Sequence, residues 1–367
     1  MFFELIPNDL KINFIGFRKK SYILSAMIIL IGFMSLVYHG GLRYGIDFAG
    51  GATVQVKMSQ PISDEELKKS LADAKLPGLA VQSFGTDGTT YLLRISTVEE
   101  TSTGINQQVQ EALKNNLNGV GFEIQRLEMV GPKVGADLRA KALQAIYVAI
   151  LITAVYISGR FEKRWFTAAG IAGVLAVSMA ALEFLGLGKE ILVAGAIIIT
   201  IICCIRLKLV FALGTIVSIL HDVLVTVGIF SLLDKEFDLT IIAALLTVVG
   251  YSLNDTIIVY DRIRENLRNN KDEVLSSVIN KSINQTLSRT VLTSGSTLFV
   301  VLALLFFGGS MLRDFSLIMA IGVVVGTFSS IFVASPILLI FGDKLVIHED
   351  KTDTRPRDKD GRLAPQV

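Results

Sequence analysis

His221, Asp222, Asp255 and Arg289 are ionisable residues set inside or at the edge of long apolar runs. A carboxylate at the centre of a membrane helix costs about 2.5 to 3.5 kcal/mol on insertion scales, so such a residue usually faces a bundle interior and marks ion or proton traffic. Asp255 belongs to the stretch Gly250 to Asn266 and lies five residues before Tyr260, where its apolar run ends (260 − 255 = 5). That is about 7 to 8 Å of helix. Arg289 comes 34 residues later (289 − 255 = 34) and starts the next run at the same side, so the two could meet across an antiparallel helix pair. A carboxylate beside an arginine stays ionised, and one that loses this partner can take a proton. Such switching is how a proton pathway drives a conformational cycle. The alternatives are a static buried ion pair that fixes helix register and an Arg289 that merely snorkels to the interface.

Asp222 falls near the midplane of its run, with His221 beside it. Neighbouring helical residues point about 100° apart, so the two are not expected to share one partner side by side. Histidine titrates near neutral pH and suits a relay, while a satisfied core histidine is the plain alternative. Asn254, next to Asp255, joins His221 and Asp222 as a candidate relay group. Thr293 to Thr297, including Gly295, together with Gly308, Gly309, Gly322 and Gly326 form small-residue faces whose default meaning is close helix packing. The sequence has no Walker loop, HExxH, nucleophile elbow or Cys/His metal spacing. A coupling protein without cofactor or metal is therefore expected, rather than an enzyme. Cys203 and Cys204 are adjacent in an apolar run and read as two small hydrophobes.

The elements that must hold these residues are membrane spans. Of 367 residues, 51% are hydrophobic and 19% charged, and the mean hydropathy is +0.58. That is too apolar for a soluble globule of this length. The net charge of +2 points to no nucleic-acid partner. Apolar runs predict eight spans near residues 22–38, 142–158, 165–186, 190–205, 209–232, 238–260, 290–308 and 315–341. Arg160, Lys163 and Arg164, then Arg206 and Lys208, then Arg262, Arg264, Arg268 and Lys271 fall in alternate loops. Positive-inside bias places those loops and both termini in the cytoplasm. The first run follows Lys11, Arg18, Lys19 and Lys20 as a signal peptide would, but it is long and lacks a small-x-small cleavage pattern, so it reads as a retained span.

The expected organisation is a cytoplasmic N-terminus (1–21), a first span (22–38), an extracytoplasmic head (39–140), a bundle of about seven spans (141–341) and a disordered tail (342–367). The head reads β-α-β-β-α-β. Its strands fall at Thr53 to Met58, Val81 to Phe84, Tyr91 to Ile95 and Phe122 to Val130, and its helices run from a Ser63 capping box to Ala74 and from Ile105 to Asn116. That order predicts a ferredoxin-like α+β sandwich. Lys271 to Ser288 carries apolar residues near helical spacing and reads as a membrane-surface helix or a connector.

Several motifs together resemble the SecF family of the bacterial SecD–SecF pair, related to RND transporters: Gly45-Ile-Asp-Phe-Ala-Gly-Gly51, with Asp47 and Gly50; Val130-Gly-Pro-Lys-Val-Gly-Ala-Asp-Leu138, with Gly131 and Pro132; His221-Asp-Val223; the Gly250 to Asn266 run; Ser288-Arg-Thr-Val-Leu-Thr-Ser-Gly295; and Phe307-Gly-Gly309. The resemblance implies an inner-membrane protein with a six-span domain and a periplasmic head. Its implied partners are SecD, the SecYEG channel, a translocating polypeptide and YajC, with work drawn from the proton gradient. It also implies that Asp255 and Arg289 are the proton-coupling groups. An RND-like exporter of small molecules or lipids is the rival reading, and an inert scaffold a third. The eight predicted spans depart from the family's six. At an offset of 44, Gly170 falls on Gly214 and Val177-Ser178 on His221-Asp222, which points to a duplicated hairpin near residues 160–206 whose first copy lost its polar residues.

Overall fold

The structure, a computed structural model, describes residues 11–72, 76–84, 88–96, 102–117, 120–184, 188–269 and 273–340. The tail from 342, Ala74 and part of the loop between the strands expected at Val81 to Phe84 and Tyr91 to Ile95 lie outside them. Among the described residues, six helical stretches are long and apolar enough to cross a membrane. They are α1 (Phe14–Tyr38), α5 (Pro132–Glu162), α8 (Val210–Leu232), α9 (Leu239–Asn269), α10 (Leu275–Phe307) and Leu312–Ile340. The last combines α11 (Gly309–Ser329), a π-helical turn at Ser330–Ala334 and α12 (Ser335–Ile337). Two shorter apolar helices, α6 (Trp165–Phe184) and α7 (Lys189–Arg206), lie where two further spans are expected.

Local chemistry sets where these helices start and stop. Asn13 accepts the Gly16 N–H at 2.9 Å and caps α1, which therefore begins before its apolar run and carries Arg18 to Lys20 within the helix. Gly131 in extended conformation and Pro132 at the first helical position open α5. α9 and α10 have 31 and 33 residues. At 1.5 Å per residue they are about 46 and 50 Å long, well beyond a hydrocarbon core of about 30 Å. Of the stretch Lys271 to Ser288, the described part is neither a separate helix nor a connector. From Leu275 it is the first half of α10, with Leu275, Val278, Ile279 and Ile283 buried in the bundle.

Small residues bring helices together at two crossings. A Cβ on Gly32 of α1 would lie 2.6 Å from the Gly228 Cα of α8. On α11, Cβ atoms at Gly322 and Gly326 would lie 2.2 Å from Val248 and 2.9 Å from Ser252 of α9. The G-x-x-x-G is thus a true close contact. Gly295 is not, since nothing lies within 4 Å of its missing Cβ. Phe161, Phe211, Tyr260 and Ile279 fill one half of the bundle, and Phe230, Phe237, Leu245 and Ile318 fill the half nearer the head.

The head contains a four-stranded antiparallel sheet of β1 (Gly51–Met58), β2 (Ala80–Phe84), β3 (Thr90–Ile95) and β4 (Phe122–Val130), in the order β2-β3-β1-β4. Leu67 and Leu71, at α3 (Asp64–Ser70), and Val109 and Leu113 of α4 (Ser102–Asn116) are buried with Val54, Val56, Leu93 and Ile95 of the sheet. Ser63 caps α3 by accepting the Glu66 N–H, as its capping-box position predicts.

Candidate functional site

Between the two apolar halves lies a layer of polar side chains drawn from five helices. At its centre is Asp222 of α8, fully buried. His221 Nδ1 approaches Asp222 Oδ1 at 3.0 Å, and Oδ2 accepts the hydroxyls of Ser252 (2.5 Å, α9) and Ser329 (2.8 Å, α11). His221 Nε2 reaches Ser25 Oγ of α1 at 2.9 Å, and Ser218 Oγ donates to Ser329 Oγ at 2.9 Å. His221 and Asp222 share no third partner, since Nε2 of His221 turns to Ser25 while Oδ2 of Asp222 turns to Ser252 and Ser329. The two bond to each other, because the imidazole and the carboxylate are long enough to close the angle between adjacent Cα–Cβ bonds. A buried carboxylate with three partners is well satisfied.

Asp255 of α9 is also buried, but its hydrogen bonding is incomplete. Oδ2 accepts from Ser294 Oγ of α10 at 3.0 Å, and Oδ1 is shielded from solvent with no hydrogen-bond partner. Thr327 of α11 donates to Ser294 Oγ at 2.7 Å and completes the contact between three helices. Arg289 is not brought onto Asp255. It precedes Ser294 by five residues, which rotates it about 140° around α10, and it is exposed on the outer side of this chain. Its charge acts on Asp255 only at longer range. Asn254 also faces outward, away from the layer that holds Asp255.

The glycine-rich motif before the head is a mechanical joint. Gly45 donates its N–H to Phe237 O at 2.8 Å and caps α2 (Ile46–Ala49). Asp47 Oδ2 accepts the N–H of Leu239, the first residue of α9, at 3.1 Å. Gly50 and Gly51 have φ of 77° and 132°, and Cβ atoms there would meet Pro132 Cα at 2.8 Å and Ile95 O at 2.3 Å. Only glycine fits both the angle and the space. Gly131 has open space around it, so its service is to the extended turn before Pro132. The α8–α9 loop is further tied by ion pairs from Glu236 to Arg94 of β3 and to Arg43, from Asp234 to Arg43 (2.7 Å) and from Lys235 to Asp314 (2.7 Å). Burial, with the Arg43 charge beside it, holds the Arg94 guanidinium below its ordinary pKa. The head is therefore bonded directly to the start of the helix that carries Asp255.

The family model described as protein export membrane protein SecD/SecF, C-terminal, matches residues 108–194 and 188–344, and the SecD/SecF GG motif matches residues 37–62. A protein translocase subunit SecF from Calditerrivibrio nitroreducens is 36% identical over 346 residues, covering 92% of this chain and 97% of that protein. One from Magnetococcus marinus is 39% identical over 333 residues, covering 89% and 91%. The chain belongs to the SecF family. The crystal structure of SecDF, a translocon-associated membrane protein from Thermus thermophilus, is similar with a TM-score of 0.67 at 28% identity, and SecDF in a super-membrane-facing form with 0.54 at 29%. The match covers 91% of this SecF-family chain but only 39% of each SecDF chain.

Proposed function

We infer that this chain works as the SecF subunit of a protein-translocation accessory complex, coupling proton movement to export across the cytoplasmic membrane. The observation that carries the reading is Asp255, a buried carboxylate with one oxygen unpartnered, in a chain of the SecF family. Protonation of Asp255 would place an O–H donor where Oδ1 now faces no partner and would remove a costly buried charge. Ser294 and Thr327 join Asp255 to α10 and α11, so a change of charge there repacks three helices. Arg289 modulates Asp255 from the outer face in this reading, and becomes its direct partner only if α10 rotates. His221, Asp222 and the serines around them are the rigid side of the layer. Family membership favours export of polypeptides over the exporter of small molecules.

The reading extends to architecture and partners. The β-α-β-β-α-β order with an antiparallel sheet supports a ferredoxin-like head. Eight crossings are supported by α6 and α7, and by a family match that restarts at 188 within an overlap of 188–194. Gly170 has nothing within 4 Å of its missing Cβ, whereas Gly214 packs on Tyr260, as expected if the first copy of a duplicated hairpin lies at the rim. Basic loops support a head outside and both termini in the cytoplasm. SecD is the proposed direct partner, supported by likeness to SecDF, with SecYEG, the translocating polypeptide and YajC around it. Asp255→Asn decides the functional reading. Cells relying on it should accumulate unexported precursors, and normal export would defeat proton coupling. A Gly188→Cys variant tests the hairpin: labelling by an impermeant thiol reagent from outside is expected, and protection from it would reject eight crossings.

A further inference from the structure

Glu162, the last residue of α5, is a carboxylate in the apolar half opposite the head that the reading so far does not use. Its Oε1 accepts the Phe211 N–H at 2.9 Å, at the start of α8. Its Oε2 is shielded from solvent and has no hydrogen-bond partner. The hydroxyl of Ser158, one turn earlier, and the backbone N–H of Ala212 lie beside the carboxylate, short of well-formed hydrogen bonds to Oε2. Phe161, Phe211 and Tyr260 wall the site with stacked and edge-on rings. The titratable and charged groups that face it are Arg164 of the α5–α6 turn, Cys204 of α7 and Tyr260 of α9. Arg164 is engaged with Leu207 O at 2.9 Å, and the Tyr260 hydroxyl with Ala334 O at 3.0 Å. Capping α8 needs only a neutral acceptor, so the cap by itself does not call for a carboxylate at this depth.

Polar groups are spaced at intervals between this site and Asp222 along one face of α8. Residues 211, 215, 218 and 222 are spaced by four, three and four, the repeat of a single helix face. Ser218 is bonded through Ser329 to Asp222, and Thr215 lies against the Tyr260 hydroxyl, whose neighbour in turn is Glu162. The eleven helical steps from 211 to 222 (222 − 211 = 11) span about 16 Å. We propose that Glu162 is a second proton-carrying carboxyl of this chain, the end of a polar path that descends the inner face of α8 from Asp222. A proton arriving along the hydroxyls, with water filling the intervals, forms an O–H bond on Oε2 as one breaks on its donor. Release to bulk water at the end opposite the head then restores the carboxylate, and nothing is oxidised. This rests on the proton-coupled reading above.

Glu162→Gln tests it, because the amide oxygen still caps Phe211 while the titrating group is gone. Infrared difference spectra between acid and neutral pH, recorded on the full chain in lipid nanodiscs, should show a protonated-carboxyl band that Glu162→Gln removes and Asp255→Asn keeps. In cells, Glu162→Gln should lose the gradient-dependent part of export, and Glu162→Asp should regain it. Wild-type export by Glu162→Gln, or an unchanged band, overturns the proposal. Normal export by Asp255→Asn would instead defeat the proton-coupled reading, while the infrared arm still reports on Glu162. Should Glu162→Gln fail to accumulate, Glu162→Asp decides: a shifted band is expected, and an unshifted one overturns the assignment.

Discussion

Asp222 and Asp255 occupy one polar layer with opposite hydrogen-bond states. Asp222 accepts from His221, Ser252 and Ser329, whereas Asp255 has Ser294 on one oxygen and nothing on the other. The physical consequence is a division of labour. Removing the Asp222 carboxylate strands a histidine and two serines in a buried interior, at a cost on the order of 3 to 5 kcal/mol, as for breaking one side of a buried polar pair. Replacing Asp255 by Asn strands nothing, since an amide can still bond Ser294. Heat-induced unfolding in detergent should therefore fall sharply for Asp222→Ala and little for Asp255→Asn. Equal losses would show that the two residues share one structural role. The carboxylates themselves were legible in the sequence, because a charge in an apolar run must be explained. Their serine partners were not singled out. Ser252 and Ser329 reach Asp222 from other helices, which no spacing along the chain reveals; the available signal was that Ser252 stands three residues before Asp255 and so shares its face of α9.

At the scale of elements, close packing depends on which glycine faces a neighbour. Gly322 and Gly326 press against Val248 and Ser252, so they set how near α11 lies to α9 and hence to the polar layer. Gly322→Leu is expected to cost about 1 to 3 kcal/mol by overpacking and to reduce the amount of folded chain in membranes. Gly295→Ala should be tolerated in the isolated chain, where its site is open. A reversed order in a membrane-accumulation assay would contradict this packing. Sequence reading located the six long apolar helices, the strands and Ser63, whose signals are local. It misjudged Lys271 to Ser288, since a polar helical stretch and the continuation of a long span share one periodicity. It also set Arg289 on Asp255 from depth alone, which fixes height along a helix but not the direction around it.

For the whole molecule, the joint at the head gives Asp255 a mechanical outlet. Asp47 caps α9, Gly45 bonds the loop before it, and Arg94 of the sheet reaches Glu236 in that same loop. A shift of α9 is thus felt in the head through bonded contacts rather than across a flexible linker. The hairpin of α6 and α7 packs on α5 and α8, away from that line of force. The most direct test measures proton flux and precursor export together in sealed vesicles holding this chain with its proposed partners SecD and SecYEG. Wild-type vesicles should show export that rises with an imposed proton gradient and proton flow that rises with precursor. With Asp255→Asn both responses should vanish, while export in the absence of a gradient is unchanged. A wild-type gradient response from Asp255→Asn would contradict the account.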